Sequence, residues 1–316
     1  MTNIKKPHEL SVQTNIKALI YGQPGLGKTT FALSAPKPLL LDFDNGVHRV
    51  SPEHQTDTIQ IDSWQNVLDE MNEGTFNNYQ TIIIDTAGKM LDYLGAWLIA
   101  KNPKLGKTNG ALSLQGYGER KGEFSGFIKK LGTMGKHIIF LAHEKEEKEG
   151  DGKYIRPEVG GSSGNDLYKE LDLIGYMEAI GKKRTISFLP QEKYYAKNAC
   201  GLNEVIEIPE LKAGVTNNYF TNNIIGLYEK SLLERKEKVG EYSELMATIT
   251  AKVEDIKDVE TANEVSEWAK NFTGHIWSSK IIAAKSINDK CKELGMKFNT
   301  KTSKYDYATK PETAAI

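Results

Sequence analysis

The chain alternates short, wholly apolar runs with longer segments whose apolar residues recur at helical spacing. Lys17-Ala-Leu-Ile-Tyr21 stops at Gly22, Pro38-Leu-Leu-Leu-Asp42 stops at acidic and glycine residues, Thr81-Ile-Ile-Ile-Asp85 stops at an aspartate, and His137-Ile-Ile-Phe-Leu-Ala142 stops before His143. Runs this short and this continuously apolar predict buried strands, with a further short strand over Ile59–Asp62. Between them, Thr29–Ala35 reads as a helix ended by Pro36 and Pro38. Ser63 reads as the N-cap of a helix reaching about Asn72, with Trp64, Val67, Leu68 and Met71 on its apolar face. Met90–Ala100 is a third helix. Strands alternating with helices predict βαβ units and a mainly parallel sheet. In open sheets of this kind ligands bind at the carboxyl ends of the strands.

The pattern changes from Asp172. Leu173–Ile180, Arg184–Leu189 and Tyr194–Ala196, separated by short turns, predict a meander that extends the sheet in antiparallel fashion. After about Leu227 the chain turns helical, over Tyr242–Val253, Val259–Asn271 and His275–Leu294. The expected division is a lead-in over 1–15, a core over 16–228, a helical region over 229–300 and a disordered tail over 301–316. The predicted fold class is α/β: a mainly parallel central sheet, an antiparallel extension and a small helical C-terminal region.

Composition narrows the picture. The 316 residues are 39% hydrophobic and 26% charged, enough for a real core, and the formal net charge is −1. No global basic field advertises nucleic acid, so any such contact must be local. The two cysteines, Cys200 and Cys291, have no metal-like spacing, which predicts neither a disulfide framework nor a zinc site and points to a reducing cytoplasm. Met1–Leu10 carries no apolar signal segment, and no run of about 18 apolar residues predicts a membrane span.

One segment carries specific chemistry. Gly22-Gln23-Pro24-Gly25-Leu26-Gly27-Lys28-Thr29 fits G-x-x-x-x-G-K-[ST] at every fixed position, and Thr30 continues it. A polyphosphate needs several backbone N–H groups aimed into one concave turn, and glycines let the backbone approach that closely. Lys28 adds positive charge for the β- and γ-phosphates, and Thr29 offers a hydroxyl to Mg²⁺. A strand before the loop and a helix after it complete the context. Asp85, closing its own buried strand, is the candidate second carboxylate for the metal. ATP with Mg²⁺ is the predicted ligand, and ATP hydrolysis the predicted activity.

The stretch from Lys17 through this loop to Ala32 resembles the RecA-like ATPase core, in particular phage and prophage ATP-binding proteins related to RecA recombinases. The resemblance covers roughly 15–205. It implies an acid after the second strand that polarises the attacking water. Asp44 is the matching position and Asp42 the alternative, where the family usually has glutamate. It implies a γ-phosphate sensor at His143, with Glu144 beside it. It also implies homo-oligomers, as rings or filaments, in which a neighbouring subunit supplies a positive charge; Lys193, Lys197 and Arg184 are the candidates.

The same resemblance implies single-stranded DNA as a partner, with a single-strand-binding or replication protein alongside. Two loops would contact it. The first, about Lys101–Lys121, is flexible and basic, with Lys101, Lys104, Lys107, Arg120 and Lys121 for phosphates and Tyr117 for stacking. The second, Glu144–Asn165, is acid-rich and reads first as a nucleotide-responsive element, with Lys153, Tyr154 and Arg156 within reach of a strand. Beyond the resemblance, the C-terminal helices hold Lys280, Lys285, Lys290, Lys292, Lys297, Lys301 and Lys304 with Phe298 and Tyr305 interspersed, an accessory surface or a solvated face. The implied function is recombination, repair or replication by annealing or strand pairing. A hexameric helicase motor and a nucleotide-gated switch are the alternatives.

Overall fold

The computed structural model describes residues 4–308 except 6, 12, 150, 151, 161, 200, 203, 204, 212 and 213. The last residues of the expected disordered tail, 309–316, lie outside the described residues. The chain divides into two compact units, one over Gln13–Ser231 and one from Leu232 onward together with the residues before 13.

In the first unit, β1 (Lys17–Gly22), α1 (Lys28–Ala32), β2 (Pro38–Asp42), β3 (Thr58–Gln60), α2 (Trp64–Glu73), β4 (Thr81–Asp85), α3 (Ala87–Lys101), α4 (Leu114–Thr133) and β5 (His137–Glu149) follow one another. Then come β6 (Gly152–Pro157), α5 (Ser162–Glu170), β7 (Leu173–Ile180), β8 (Lys183–Ser187), β9 (Lys197–Asn198) and β10 (Val205–Ile208). The main path of the sheet runs β10-β8-β7-β1-β5-β4-β2-β3, with β6 paired to β5 and β9 to β7. β1 pairs in parallel with both β5 and β7, and β4 in parallel with β5 and β2. The class is therefore the expected one, a mainly parallel sheet with an antiparallel extension.

The physical reason is the one legible in the runs. Central strands β1 and β4 are buried at nearly every residue, because helices cover both faces. Leu19, Leu41, Ile82, Ile84 and Phe140 form one core with Trp64, Phe124, Phe127 and Leu131 from α2 and α4. Trp64 meets Phe127 edge-on at 4.9 Å. α2 starts at a capping box in which the Ser63 hydroxyl accepts the Asn66 N–H and the Asn66 side chain accepts the Ser63 N–H.

Three expectations change. The meander expected from Leu173 starts later: β7 joins the parallel core beside β1, and the antiparallel extension begins with β8. Its apolar residues Leu173, Ile174 and Met177 are fully buried, as a central strand requires. The flexible loop expected over Lys101–Lys121 is mostly ordered: α3 reaches Lys101, and Tyr117, Arg120 and Lys121 lie on α4. The expected loop after Ala142 is a hairpin, in which β5 continues to Glu149 and turns back as β6, pairing Glu144 with Pro157 and Lys148 with Lys153. Opposite charges hold its sides: Glu147 pairs with Lys145 at 2.6 Å and with Arg156 at 2.9 Å, and Glu146 with Lys153 at 2.7 Å.

The other unit contains most of α6 (Gly226–Glu254), then α7 (Val259–Asn271), α8 (Ser279–Glu293) and the antiparallel pair β11 (Met296–Asn299) and β12 (Lys304–Tyr307). Its own core joins Leu245, Ile249, Ile256, Ala262, Ala283, Ile287, Cys291, Met296 and Tyr305. β12 falls inside the segment expected as loose tail. It is ordered because Tyr305 is buried and its N–H donates to Asn263 Oδ1 at 2.8 Å.

Candidate functional site

The carboxyl ends of β1 and β4 lie beside the middle of β5, at His143 and Leu141, and the loop after β1 starts there. Gly22 has φ +155°, and a Cβ there would lie 2.1 Å from the Met177 carbonyl oxygen, so only glycine lets β1 end against β7. Gln23, Pro24 and Gly25 are exposed, Leu26 and Gly27 half-buried. Lys28 is buried, and its ammonium donates to the carbonyls of Gly22 at 2.9 Å and Gln23 at 2.7 Å. Burial holds its pKa below the usual lysine value, against the opposing pull of Asp85 and Glu144.

The helix that follows is only five residues long, and other parts of the chain brace it. Asn217 Nδ2 donates to the Thr30 carbonyl at 2.8 Å, the Phe220 N–H to Ser34 Oγ at 2.8 Å, and Phe31 packs edge-on against Phe220 at 5.1 Å. Thr29 presents its hydroxyl to Asp85 Oδ2 at 2.7 Å. Asp85 is nine-tenths buried, and its link to Thr86 is a cis peptide. Burial pushes its pKa up to about 6. The Thr29 hydrogen bond opposes the shift, Asp42 and Asp44 add to it, and Lys28 opposes it.

Asp42 and Asp44 separate clearly. Asp42 is buried and accepts the N–H groups of Gly46 and Val47, each at 3.0 Å, so it shapes the turn after β2. Asp44 sits beyond the strand end, 3.7 Å from Arg49, and its charge acts on both Asp85 and His143. His143 lies opposite Gly22 in the β1–β5 register. Among the described residues, its Nδ1 is buried with no partner, as is Oε2 of Glu144. Burial, with the Lys28 ammonium adding, holds the imidazole below its usual pKa and therefore neutral at pH 7.

These groups fit a triphosphate with its metal. The loop offers an ammonium and backbone amides, Thr29 and Asp85 form a hydroxyl–carboxylate pair suited to a hard cation, and the unpartnered His143 and Glu144 atoms await polar contacts. A groove of about 680 Å³ opens beside Thr30, with Glu53, His54, Lys183, Arg184 and Pro209 among its lining.

The three candidate fingers meet different fates. Arg184 bends onto the phosphate loop of its own chain: Nη1 donates to the Leu26 carbonyl at 3.4 Å and Nη2 to the Pro209 carbonyl at 3.0 Å. It lies so close that a Cβ on Gly27 would be 2.7 Å from Nη1. Lys197 is occupied at the C-terminus of α5, donating to the carbonyls of Tyr168 and Leu171. Lys193 is exposed and pairs with Glu178 at 3.2 Å.

The groups expected to reach DNA are also partly engaged. Arg120 is buried, its guanidinium 5.0 Å from the Tyr117 ring, and Lys121 pairs with Asp166 at 3.0 Å. Lys104 and Lys107 remain exposed. Lys89 belongs to the site although no motif announces it. It stands in the first turn of α3, four residues after Asp85, and its charge bears on His143. Its position just past the acid-ended strand was the available signal.

Comparison with known proteins adds three findings. The family model described as "AAA domain" matches residues 14–200. A relative from Bacillus subtilis (strain 168), the SPbeta prophage-derived protein YorG, is 24% identical over 293 residues, which is 89% of this chain and 79% of the relative. Among solved structures, a KaiC-like protein from the hyperthermophilic archaeon Pyrococcus horikoshii OT3 aligns with 61% of this chain and 89% of its own, at 12% identity and a TM-score of 0.35. Among the described residues, no helix is long and apolar enough to cross a membrane.

Proposed function

The chain belongs to the AAA domain family, and from that premise we propose that this P-loop NTPase hydrolyses ATP with Mg²⁺ and acts on single-stranded DNA in phage-type recombination, repair or replication. The observation that carries the reading is the Thr29–Asp85 contact of 2.7 Å beside the buried Lys28. The prophage origin of YorG supports the biological setting.

Mg²⁺, when bound, would supply positive charge to the phosphate oxygens, and Thr29 and Asp85 are the residues that would hold it. Lys28 exchanges its carbonyl partners for phosphate oxygens and neutralises charge on the transferring group. The nucleoside takes the groove beside Thr30. Asp44 orients a water and accepts its proton as the water oxygen bonds to the γ-phosphorus and the bond to the bridging oxygen breaks. His143, neutral, makes a hydrogen bond to the γ-phosphate.

The reading is tested by measuring phosphate release from ATP with and without single-stranded DNA, using Lys28→Ala as control. DNA should raise turnover of the native chain, and the variant should have none. Unchanged turnover on adding DNA would remove the DNA part of the proposal; equal turnover in the variant would remove the site. A nucleotide-gated switch without DNA stimulation is favoured by one observation: Arg120, Lys121, Lys153 and Arg156 are engaged within the chain.

A further inference from the structure

The C-terminal unit carries a groove that the nucleotide site does not use. It measures about 440 Å³ and lies between α7, α8 and the β11–β12 hairpin. Its floor is apolar, formed by Ala269, Ala284 and Ile287, and Phe298 and Tyr305 stand along it. Phe298 is 40% exposed and packs edge-on with the buried Tyr305 at 5.1 Å, so its ring is held in place yet reaches solvent. That is the form of a stacking platform: a flat π surface, immobilised by a second ring.

The rim is cationic. Among the described residues, Lys270, Lys280 and Lys285 line the groove and no carboxylate does. Lys270 stands over one side of the Phe298 ring, 5.4 Å from its centroid, and is steadied by the Ser303 carbonyl at 3.3 Å, which leaves the other side for a base. Lys280 and Lys285 are exposed, and among the described residues neither forms an ion pair. From Ser278 to Ala308 seven lysines face three carboxylates, a local excess of four positive charges in a chain whose total is −1. A solvated helix face explains scattered lysines. It does not explain a largely apolar cleft lined by a part-exposed ring and by three lysines as its charged groups.

We propose that this groove binds single-stranded nucleic acid, with a base stacked on Phe298 and neighbouring phosphates held by Lys280 and Lys285. A single strand presents unpaired π faces and a regularly spaced anionic backbone, and the groove complements both. The inference rests on the proposed function only for the polymer's identity; it adds the place where the strand is held.

The test is fluorescence anisotropy of labelled 20-nucleotide oligo(dT) and oligo(U) titrated with the full chain, without nucleotide, across a salt series. The variants are Phe298→Ala, Phe298→Tyr and the double reversal Lys280→Glu/Lys285→Glu, each checked for an unchanged melting temperature. Phe298→Ala should weaken binding roughly tenfold, within the range of one lost base stack, and Phe298→Tyr should bind as the native chain does. The double reversal should weaken binding further. Losing two phosphate contacts should also flatten the salt dependence by about 1.4 in log–log slope, since each contact on a single strand contributes about 0.7. Binding of either polymer through these residues supports the groove, and the ratio of the two affinities separates DNA from RNA. Native affinity and slope in the alanine and reversal variants would overturn the groove while leaving single-strand binding elsewhere intact. No binding by the native chain would overturn both, and ATP turnover without DNA would still report on the nucleotide site alone.

Discussion

The Thr29 hydroxyl donates a 2.7 Å hydrogen bond to Asp85, joining the first turn of α1 to the end of β4 across the middle of β5, which separates β1 from β4 in the sheet. A hydroxyl and a carboxylate from two different crossovers thus meet at one point. Asp85→Asn should cost about 100-fold or more in ATP turnover, as loss of a carboxylate that holds the metal predicts. Phosphate-release kinetics at saturating Mg²⁺ would check it.

The same carboxyl sets a pH dependence. Its pKa in the folded chain, about 6, lies above that of an ordinary aspartate. Between about pH 4 and 6 the folded chain therefore holds the extra proton, and this group's contribution to stability falls as pH rises through that window. His137 works the other way: burial lowers its pKa to about 4, so its contribution grows as pH rises from there toward the ordinary histidine range. Subtracting the native profile from that of Asp85→Asn isolates the aspartate. The variant should gain on the order of 2 kcal/mol at pH 7 in urea melts, with no gain below pH 4.

Asp42 and Asp44 should part in opposite ways. Asp42→Ala leaves two half-buried N–H groups without their acceptor and should cost about 1–3 kcal/mol by chemical denaturation. Asp44→Asn should leave stability within about 0.5 kcal/mol, as for a surface change. Its turnover should fall about 100-fold, as for a lost general base. An Asp44→Asn chain with native turnover would transfer the water-orienting role elsewhere.

Arg184 distinguishes assistance within a chain from assistance between chains. Its contacts with Leu26 and Pro209 tie the phosphate loop to the segment after β10. Arg184→Ala should raise the KM for ATP roughly tenfold, the cost of about 1.4 kcal/mol in a charged hydrogen bond. Mixing it with Lys28→Ala chains should restore nothing. Recovery of turnover in the mixture would show the arginine acting on a neighbour's nucleotide.

Lys197 is assigned a structural task. Lys197→Ala frees the carbonyls at the end of α5 and should destabilise the chain by about 1–2 kcal/mol. ATP turnover per folded molecule should not change.

Much of this arrangement was legible beforehand because it rests on local signals. The apolar run ending at Asp85 is β4 to the residue, and Val259–Asn271 is α7. What could not be read was long-range. α4 carries Gly116, Gly118, Gly122, Gly126 and Gly132, a composition that suggests a loop. It is a helix because tertiary packing outweighs propensity: Phe124, Phe127, Ile128 and Leu131 are buried, and Gly116 lies so close to Leu105 that a Cβ would sit 2.3 Å from its carbonyl oxygen. The outer half of β5, Glu144–Glu149, has no apolar alternation to announce a strand. Its pairing depends on charges in β6. Likewise, nothing local distinguishes Arg184, which touches the phosphate loop, from Lys197, which caps a helix.

β5 has a mechanical consequence. It carries His143 beside Gly22 and continues unbroken to Glu149, six residues further on. At about 3.3 Å per residue that is a rod of about 20 Å, stiffened by its partner strand. Any rotation of β5 about its register with Gly22 therefore displaces the far end of this rod by more than it moves His143.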